Sequence, residues 1–204
     1  NNRMQDGNNF DERKPTAEEY RISKLILIFQ MTFVGAPMIY YGDESGIWGS
    51  DDPSCRKPML WKELEPYDNP QDAVNIDLYE FYKKIIAIRN TFPALIYGNF
   101  EKIFADDYLD VIVYKREFKD EVVFVGINNS NRDQNISVYI NKSNFINILE
   151  IKDMNINSKI INSMHTNYIE YKYSDKDVIK KDKEHNLILN IPKKWAVIGV
   201  EVKK

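Results

Sequence analysis

Apolar and polar residues follow two different periods along this chain, and the change between them falls near Tyr97-Gly98. Residues 1–15 are polar, with Gly7 and Asn pairs, and read as a surface loop. Thr16-Ala17-Glu18-Glu19 fits a capping box, the Thr16 hydroxyl taking the Glu19 amide while the Glu19 carboxylate reaches back to Thr16. A helix over 17–33 follows, and its second half, residues 25–31, is apolar almost all round, so it calls for cover on most sides. Met38 to Tyr41 is an extended apolar stretch that stops at Gly42-Asp43-Glu44, the pattern of a buried parallel strand delivering polar groups to a binding face. Residues 42–75 form a long, Pro-rich segment, whose length points to a functional or ligand-lining role rather than a simple connector. Leu78, Phe81, Tyr82, Ile85, Ile86, Ile88 and Arg89 then recur at helical spacing, until Pro93 ends the helix.

Beyond Gly98 the period shortens. Strands are predicted over 100–104, 111–118, 122–128, 135–140, 146–151, 167–173, 187–191 and 195–202. Turn signals separate them at Lys119-Asp120, Asn128-Asn129-Ser130-Asn131 and Asn141-Lys142-Ser143-Asn144. Short strands at this spacing predict an antiparallel β-sandwich. Two domains result, 1–97 and 98–204, with no internal repeat and no low-complexity tract.

Composition narrows the classes. At 204 residues, 43% hydrophobic and 13% aromatic, the chain can fill a real core. A net charge of −3, with charges of both signs well mixed, gives no reason to expect a nucleic-acid or membrane-surface partner. The longest apolar candidate, residues 25–37, falls short of the roughly 18 residues a membrane span needs. Cys55 alone cannot make an intrachain disulfide; it fits a small filler in a polar loop better than a reactive thiol, and leaves the compartment open. The start, Asn1-Asn2-Arg3-Met4, is neither an initiator methionine nor a signal sequence, so the chain is expected to be the remainder of something longer.

The loop over 42–61, with the strand end before it, concentrates chemistry: carboxylates at Asp43, Glu44, Asp51 and Asp52, a guanidinium at Arg56, and aromatic faces at Tyr40, Tyr41, Trp48 and Trp61. Carboxylate and Arg groups hydrogen-bond pairs of hydroxyls while flat rings cover the C–H side of a sugar, so this mixture suits a polyol. Each residue also has a structural alternative: Asp52 and Arg56 as an ion pair pinning the loop, Trp48 and Trp61 packed under it, Asp43 and Glu44 capping backbone amides. His165 and His185 stand apart in the second domain, without metal-site spacing. No Gly-rich phosphate loop, nucleophile elbow or zinc motif is present, and no cofactor is expected.

The run Gly35-Ala36-Pro37-Met38-Ile39-Tyr40-Tyr41-Gly42-Asp43-Glu44 resembles the last barrel strand of the α-amylase family, glycoside hydrolase family 13. The resemblance continues through Gly46-Ile47-Trp48-Gly49 and the segment 51–61, where it is nearest the neopullulanase, cyclomaltodextrinase and maltogenic amylase branch. It extends through the helix Phe81-Tyr82-Lys83-Lys84-Ile85-Ile86-Ala87-Ile88-Arg89, then Pro93-Ala94-Leu95 and Gly98. Three motifs in the family's order and spacing cover residues 16–98; beyond Gly98 the likeness is one of position and strand content.

The resemblance implies the end of a (β/α)8 barrel followed by an antiparallel β-sandwich C-terminal domain, with 17–33 as the seventh helix, 37–41 as the eighth strand and 77–91 as the eighth helix. Loops at the carboxyl ends of such strands face substrate. In the family, an Asp and an Arg four residues apart in this loop hold glucose units on the non-reducing side of the cleavage point; they map onto Asp52 and Arg56, and Trp48 joins them as a substrate-binding aromatic. No catalytic residue is expected within the chain: the Asp nucleophile, the Glu acid/base about 5 Å from it and the second Asp sit on the fourth, fifth and seventh strands. The implied protein is the C-terminal fragment of a retaining glycoside hydrolase acting on starch, maltooligosaccharides, cyclodextrin or pullulan, inactive on its own. Its partners would be an α-glucan oligosaccharide, the remainder of the barrel and a second copy of itself. Alternatives are a glucan glycosyltransferase of the same family, or a carbohydrate-binding or structural sandwich using Trp195, Tyr139, Tyr168, Tyr171 and Tyr173. A strand at 35–42 without lateral neighbours would pair with a missing segment or another chain, or lose order.

Overall fold

The computed structural model describes residues 11–50, 52–141, 144–161 and 164–202. Most of the expected N-terminal loop, Asp51, two residues of the 141–144 turn and the His165 side chain lie outside the described residues. The chain divides into two compact units, one running up to Lys24 and resuming over Pro37–Tyr82, the other made of Leu25–Ala36 and Lys83–Lys204.

In the first unit, helix α1 (Ala17–Thr32) begins at the expected capping box. The Glu19 amide donates to Thr16 Oγ1 at 3.3 Å, and Glu19 Oε2 accepts from the Thr16 amide at 2.7 Å. Arg13 adds a fork onto the same carboxylate, with contacts of 2.7 and 2.6 Å. Helix α2 (Ile76–Thr91) starts one residue earlier than expected, because Asn75 Oδ1 takes the Leu78 amide at 3.1 Å and caps it. Lys24 reaches Asp77 at 2.6 Å and ties the two helix segments together.

Residues 36–40 form no strand ladder, contrary to the strand expected over 38–41. A strand exists through hydrogen bonds to a neighbour, and none of the described residues lies alongside this stretch as a ladder partner. It is neither helical nor paired with the β-rich part, and Met38 stands 76% exposed with Ile39, Tyr40 and Tyr41 also open to solvent.

The second unit holds the antiparallel sandwich. Its main sheet has the order β1–β2–β3–β9–β5, from Asn99–Asp106, Val111–Phe118, Glu121–Asn128, Trp195–Glu201 and Phe145–Asn147. Strands β4 (Gln134–Val138) and β8 (Leu187–Ile191) pair separately, as do β6 (Met154–Ile161) and β7 (Met164–Tyr171). The β2–β3 hairpin closes at the expected Lys119-Asp120 turn, with Lys119 at φ 54°, the left-handed conformation such a two-residue turn requires. Three elements depart from expectation. The stretch 146–151 contributes only its first two residues to a three-residue strand, β6 was not anticipated, and, although α2 stops at Thr91 ahead of Pro93 as expected, Pro93 opens a further short helix α3 (Pro93–Tyr97).

Val111, Val113, Val122, Phe124 and Val197 on one face of the main sheet pack with Ile136, Val138, Leu187, Leu189 and Ile191 of the β4–β8 pair. Phe124 lies opposite Gly199, and its ring fills the space a Cβ there would need, the nearest atom only 2.0 Å away. The other face of the sheet is buried as well, at Tyr114, Val125 and Ile198. Against it sits the C-terminal end of α1, where Thr32 Oγ1 and the Tyr114 hydroxyl are 2.5 Å apart.

Arg116, 1% exposed, projects from the same face. Its guanidinium donates to the carbonyls of Thr32 at 2.8 Å, Leu95 at 3.1 Å and Gly98 at 2.9 Å, so one side chain satisfies the ends of α1 and α3 and the entry to β1. Arg89 does the same for Met31 at 2.6 Å and Gly35 at 2.8 Å. Lys84 donates to the Leu149 carbonyl at 2.8 Å, and Thr91 Oγ1 accepts the Ile169 amide at 2.8 Å, which joins the β6–β7 ribbon to α2.

Arg116→Met keeps the volume and strips the donors from three carbonyls, at a cost of about 1–3 kcal/mol for each one left dry. The thermal midpoint of the sandwich unit should fall by roughly 6 °C or more, read by near-ultraviolet circular dichroism. Glu19 is held well below the usual carboxylate range, first by its hydrogen bond from Arg13 and then by the Thr16 amide and hydroxyl. A depressed folded pKa contributes stability that is present above the unfolded value and lost as pH falls through the folded one. The α1 cap should therefore persist until pH is well below 4, and Glu19→Gln should flatten that acid dependence in amide exchange of residues 17–20.

Candidate functional site

The loop after Tyr41 is built by close local approach. Gly42 and Gly46 take φ of 88° and 77°, values that side chains resist. The amides of Ser45 and Ile47 donate to the Gly42 carbonyl at 3.1 and 3.0 Å, and Glu44 Oε2 accepts the Gly42 amide at 3.0 Å. Glu44 is thus occupied as a cap, while Asp43 is exposed. The Tyr20 hydroxyl donates to the Gly46 carbonyl at 2.7 Å and anchors this turn to α1, and the Asn75 amide bonds the Ser45 carbonyl at 2.9 Å.

Trp48 is only 8% exposed. Its indole Nε1 donates to the Glu12 carbonyl at 3.2 Å, and the ammonium groups of Lys57 and Lys14 lie 3.9 and 5.0 Å from its ring centroid. The structure places this indole beneath the loop. Trp61, 54% exposed, presents an open ring instead. Tyr67 holds the Trp61 backbone from both sides: the Trp61 amide donates to the Tyr67 hydroxyl at 2.6 Å, and that hydroxyl donates to the Trp61 carbonyl at 3.0 Å.

Between the two tryptophans the chain doubles back. A Cβ on Gly49 would meet the Ser54 carbonyl oxygen at 2.4 Å, and the Ser50 amide donates to Ser54 Oγ at 3.2 Å. A 3₁₀ turn over Ser54–Arg56 then brings Arg56 back onto Asp52. The pair is a two-pronged fork, Nε to Oδ1 at 2.7 Å and Nη2 to Oδ2 at 2.9 Å. Its side chains are 68% and 57% exposed, for Arg56 and Asp52 respectively. Exposed pairs of this kind contribute about 0–1 kcal/mol to stability. The Cys55 thiol donates to Asp52 Oδ1 at 3.3 Å, and that bond is the main reason its pKa is raised. Tyr41 closes the base of the loop by donating to the Lys57 carbonyl at 3.1 Å.

The structure therefore brings Asp52 and Arg56 together, with Trp48 in the same loop but under it. Lys14 and Tyr20 lie outside the segment read as the candidate site, and Lys57 and Tyr67 were given no role within it; nothing local in sequence marks a lysine that will cover a ring, or a tyrosine that will clamp a backbone. His185 is exposed in a turn, its amide donating to the Asp182 carbonyl at 3.2 Å. Among the described residues no group of three or more His, Cys, Asp or Glu side chains could hold a metal ion, and no helix is long and apolar enough to cross a membrane.

Residues 98–150 match the family described as the alpha-amylase C-terminal domain. The first half of the β-rich part is therefore similar to an α-amylase C-terminal domain. The chain is 38% identical over 120 residues to neopullulanase 2 of Thermoactinomyces vulgaris, covering 59% of this chain and 19% of that protein. It is 42% identical over 111 residues to a cyclomaltodextrinase of Thermoanaerobacter pseudethanolicus, covering 54% of this chain and 18% of that protein. These matches bear out the resemblance to the α-amylase family in its neopullulanase, cyclomaltodextrinase and maltogenic amylase branch. The chain spans about a fifth of the length of the curated relatives it matches. Among solved structures, an Anoxybacillus alpha-amylase superposes with a TM-score of 0.65 at 20% identity, covering 89% of this chain and 32% of that one. A cyclomaltodextrinase does so with a TM-score of 0.56 at 23% identity, covering 90% and 26%. At those identities the superpositions speak for the fold alone.

Gly49→Ala should force the 49–56 loop apart. Amide exchange of residues 50–57 should accelerate by roughly tenfold or more, as expected for opening a local unit, while residues 98–141 stay unchanged.

Proposed function

We propose that this chain is the C-terminal part of a glycoside hydrolase that cleaves α-glucosidic bonds with retention, residues 1–97 completing a (β/α)8 barrel and 98–204 forming its sandwich domain. The observation that carries the reading is the Asp52–Arg56 fork, exposed at the tip of a tightly folded loop, within a segment that carries the family's motifs in order. Both side chains are more than half exposed, so a sugar can reach them, offering hydroxyl donors to Asp52 and hydroxyl acceptors to Arg56 in exchange for bonds of the pair. The exposed pair adds little to stability, and the fold loses little when a ligand takes over some of its bonds. Trp48 serves the substrate by propping the loop from below, and the open Trp61 ring adds an apolar face nearby in sequence. The domain boundary is supported by the family match beginning at residue 98.

The carboxylates that break the bond belong, in this reading, to barrel strands other than those represented here. The substrates that neopullulanase and cyclomaltodextrinase are named for, pullulan and cyclodextrin, are the ones to assay first. The exposed run Met38 to Tyr41, with its backbone outside any ladder, suits pairing with the remainder of the barrel.

The test uses the protein carrying the whole barrel. Arg56→Ala removes charge-assisted hydrogen bonds of about 1.5–3 kcal/mol, so kcat/KM on maltotriose should fall roughly 10- to 100-fold, mainly through KM. Asp52→Asn should act in the same direction, with the thermal midpoint nearly unchanged. The 204-residue chain alone should show no turnover. Unchanged kinetics in both variants, or turnover by the short chain that one of its own carboxylates abolishes, would overturn the reading.

A further inference from the structure

Away from that loop, the second unit contains a cleft of about 480 Å³ where the start of α3, the β2–β3 turn and the ends of β7 and β9 meet. Three aromatic side chains line it. The buried Phe92 ring lies 6.3 Å from that of the half-buried Tyr171, and Phe118 stands at the end of β2. The Lys119 ammonium sits 5.3 Å from the Phe118 ring centroid, so one edge of the cleft already holds a cation over a ring.

The charges around the cleft are unbalanced, with the carboxylates of Asp120, Glu121 and Glu201 set against the single ammonium of Lys119. Glu121 is the informative one. It is half-buried, and its Oε1 accepts the Ala94 amide at 2.6 Å. Among the described residues no cation pairs with it. Burial raises its pKa, and the Ala94 hydrogen bond offsets only part of that. A carboxylate partly withdrawn from water and lacking a counter-charge is stabilised by meeting one.

Ring faces beside carboxylates suit an organic cation. A metal ion would want three or more ligating side chains, and no such group of His, Cys, Asp or Glu occurs among the described residues. Between the common organic cations, a guanidinium is planar and weakly hydrated, stacks on rings and forks onto a carboxylate, whereas an ammonium holds its water more tightly.

We propose that this cleft binds an alkylguanidinium group, which stacks on its aromatic lining and donates to the Glu121 carboxylate. The volume falls within the roughly 300–1,000 Å³ usual for small-molecule sites. The assignment does not depend on the proposed hydrolase activity.

The experiment titrates the ¹⁵N-labelled 204-residue protein with butylguanidinium chloride, followed through the backbone amides of Ala94, Asp120 and Glu121. Saturable shifts at all three, with a millimolar dissociation constant, are expected, and the neutral isostere butylurea should produce none. Glu121→Gln keeps an acceptor for the Ala94 amide and removes the charge, and should weaken binding roughly tenfold or more. Tyr171→Leu removes a ring face and should weaken it about threefold; it decides the matter if Glu121→Gln does not fold. Lys119→Asn, at a left-handed position that asparagine tolerates, removes the resident ammonium and should tighten binding. N-acetylarginine N-methylamide separates two sources of the group, and either result upholds the site: equal or tighter binding than butylguanidinium assigns it to an arginine of a polypeptide, weaker binding to a free small molecule. Absent or non-saturating shifts, butylurea binding as well as its cationic counterpart, or affinity unchanged in the folded Glu121 and Tyr171 variants overturns the proposal.

Discussion

The Arg116 guanidinium is the interaction on which the second unit's architecture rests. Helix ends leave carbonyl groups without intrahelical partners, and burying such an end against a sheet removes the water that would otherwise serve them. Here the carbonyls of Thr32, Leu95 and Gly98 converge on one buried side chain of β2, while Arg89 takes those of Met31 and Gly35. Only arginine offers a planar fork of five donors that remains charged when burial lowers its pKa, as it does for both side chains. No acidic residue pairs with either group among the described salt bridges, so their positive charge is met by the negative ends of peptide dipoles. That arrangement lets an apolar sheet carry helix ends on one face and strands on the other, with the carbonyls of Thr32, Leu95, Gly98, Met31 and Gly35 each given a donor.

Exposure divides the polar groups into two kinds with different consequences. Arg116 and Asn128 are buried and saturated; Asn128 Nδ2 alone reaches the carbonyls of Arg132, Ile191 and Pro192, which joins the β3 end to the chain beyond β8. Such groups specify structure, because any rearrangement leaves several partners dry at once. The Asp52–Arg56 pair is the opposite case, well aligned but solvated, and its bonds can be exchanged for a ligand's at small cost. A guanidinium therefore performs either task according to its surroundings, and residue type alone does not separate them.

What the sequence made legible follows the range of the interactions involved. The Thr16–Glu19 box and the Lys119-Asp120 turn were readable because their partners lie within a few residues. The long strands β2, β3, β8 and β9 were readable because their alternating or continuous apolar runs match the faces they bury. Strand β6 escaped because Met154-Asn155-Ile156-Asn157-Ser158-Lys159 is polar enough to pass for a loop, and is held as a strand by its pairing with β7. Pro93 marks the stop of α2 as read, but the short helix α3 it opens was missed: at the first position of a helix its absent N–H costs nothing, and the Glu121 carboxylate takes the Ala94 amide at 2.6 Å. The apolar run at 38–41 shows the converse limit: a strand-like sequence makes no strand without a neighbour to bond to.

The same reasoning explains why the two tryptophans of the loop could not be told apart in advance. Both follow a turn, and both adjoin glycine, proline or charged residues. Trp48 is buried because Glu12, Lys14 and Lys57, from either side in sequence, converge on its polar edge and its face. Trp61 stays open because Tyr67 spends both of its hydrogen bonds on the Trp61 backbone, fixing the main chain and leaving the ring uncovered. An indole whose backbone is clamped and whose face is free has lost its main-chain entropy before any ligand arrives. That is the condition under which an aromatic surface adds most to weak binding, because less ordering cost is left to offset the contact.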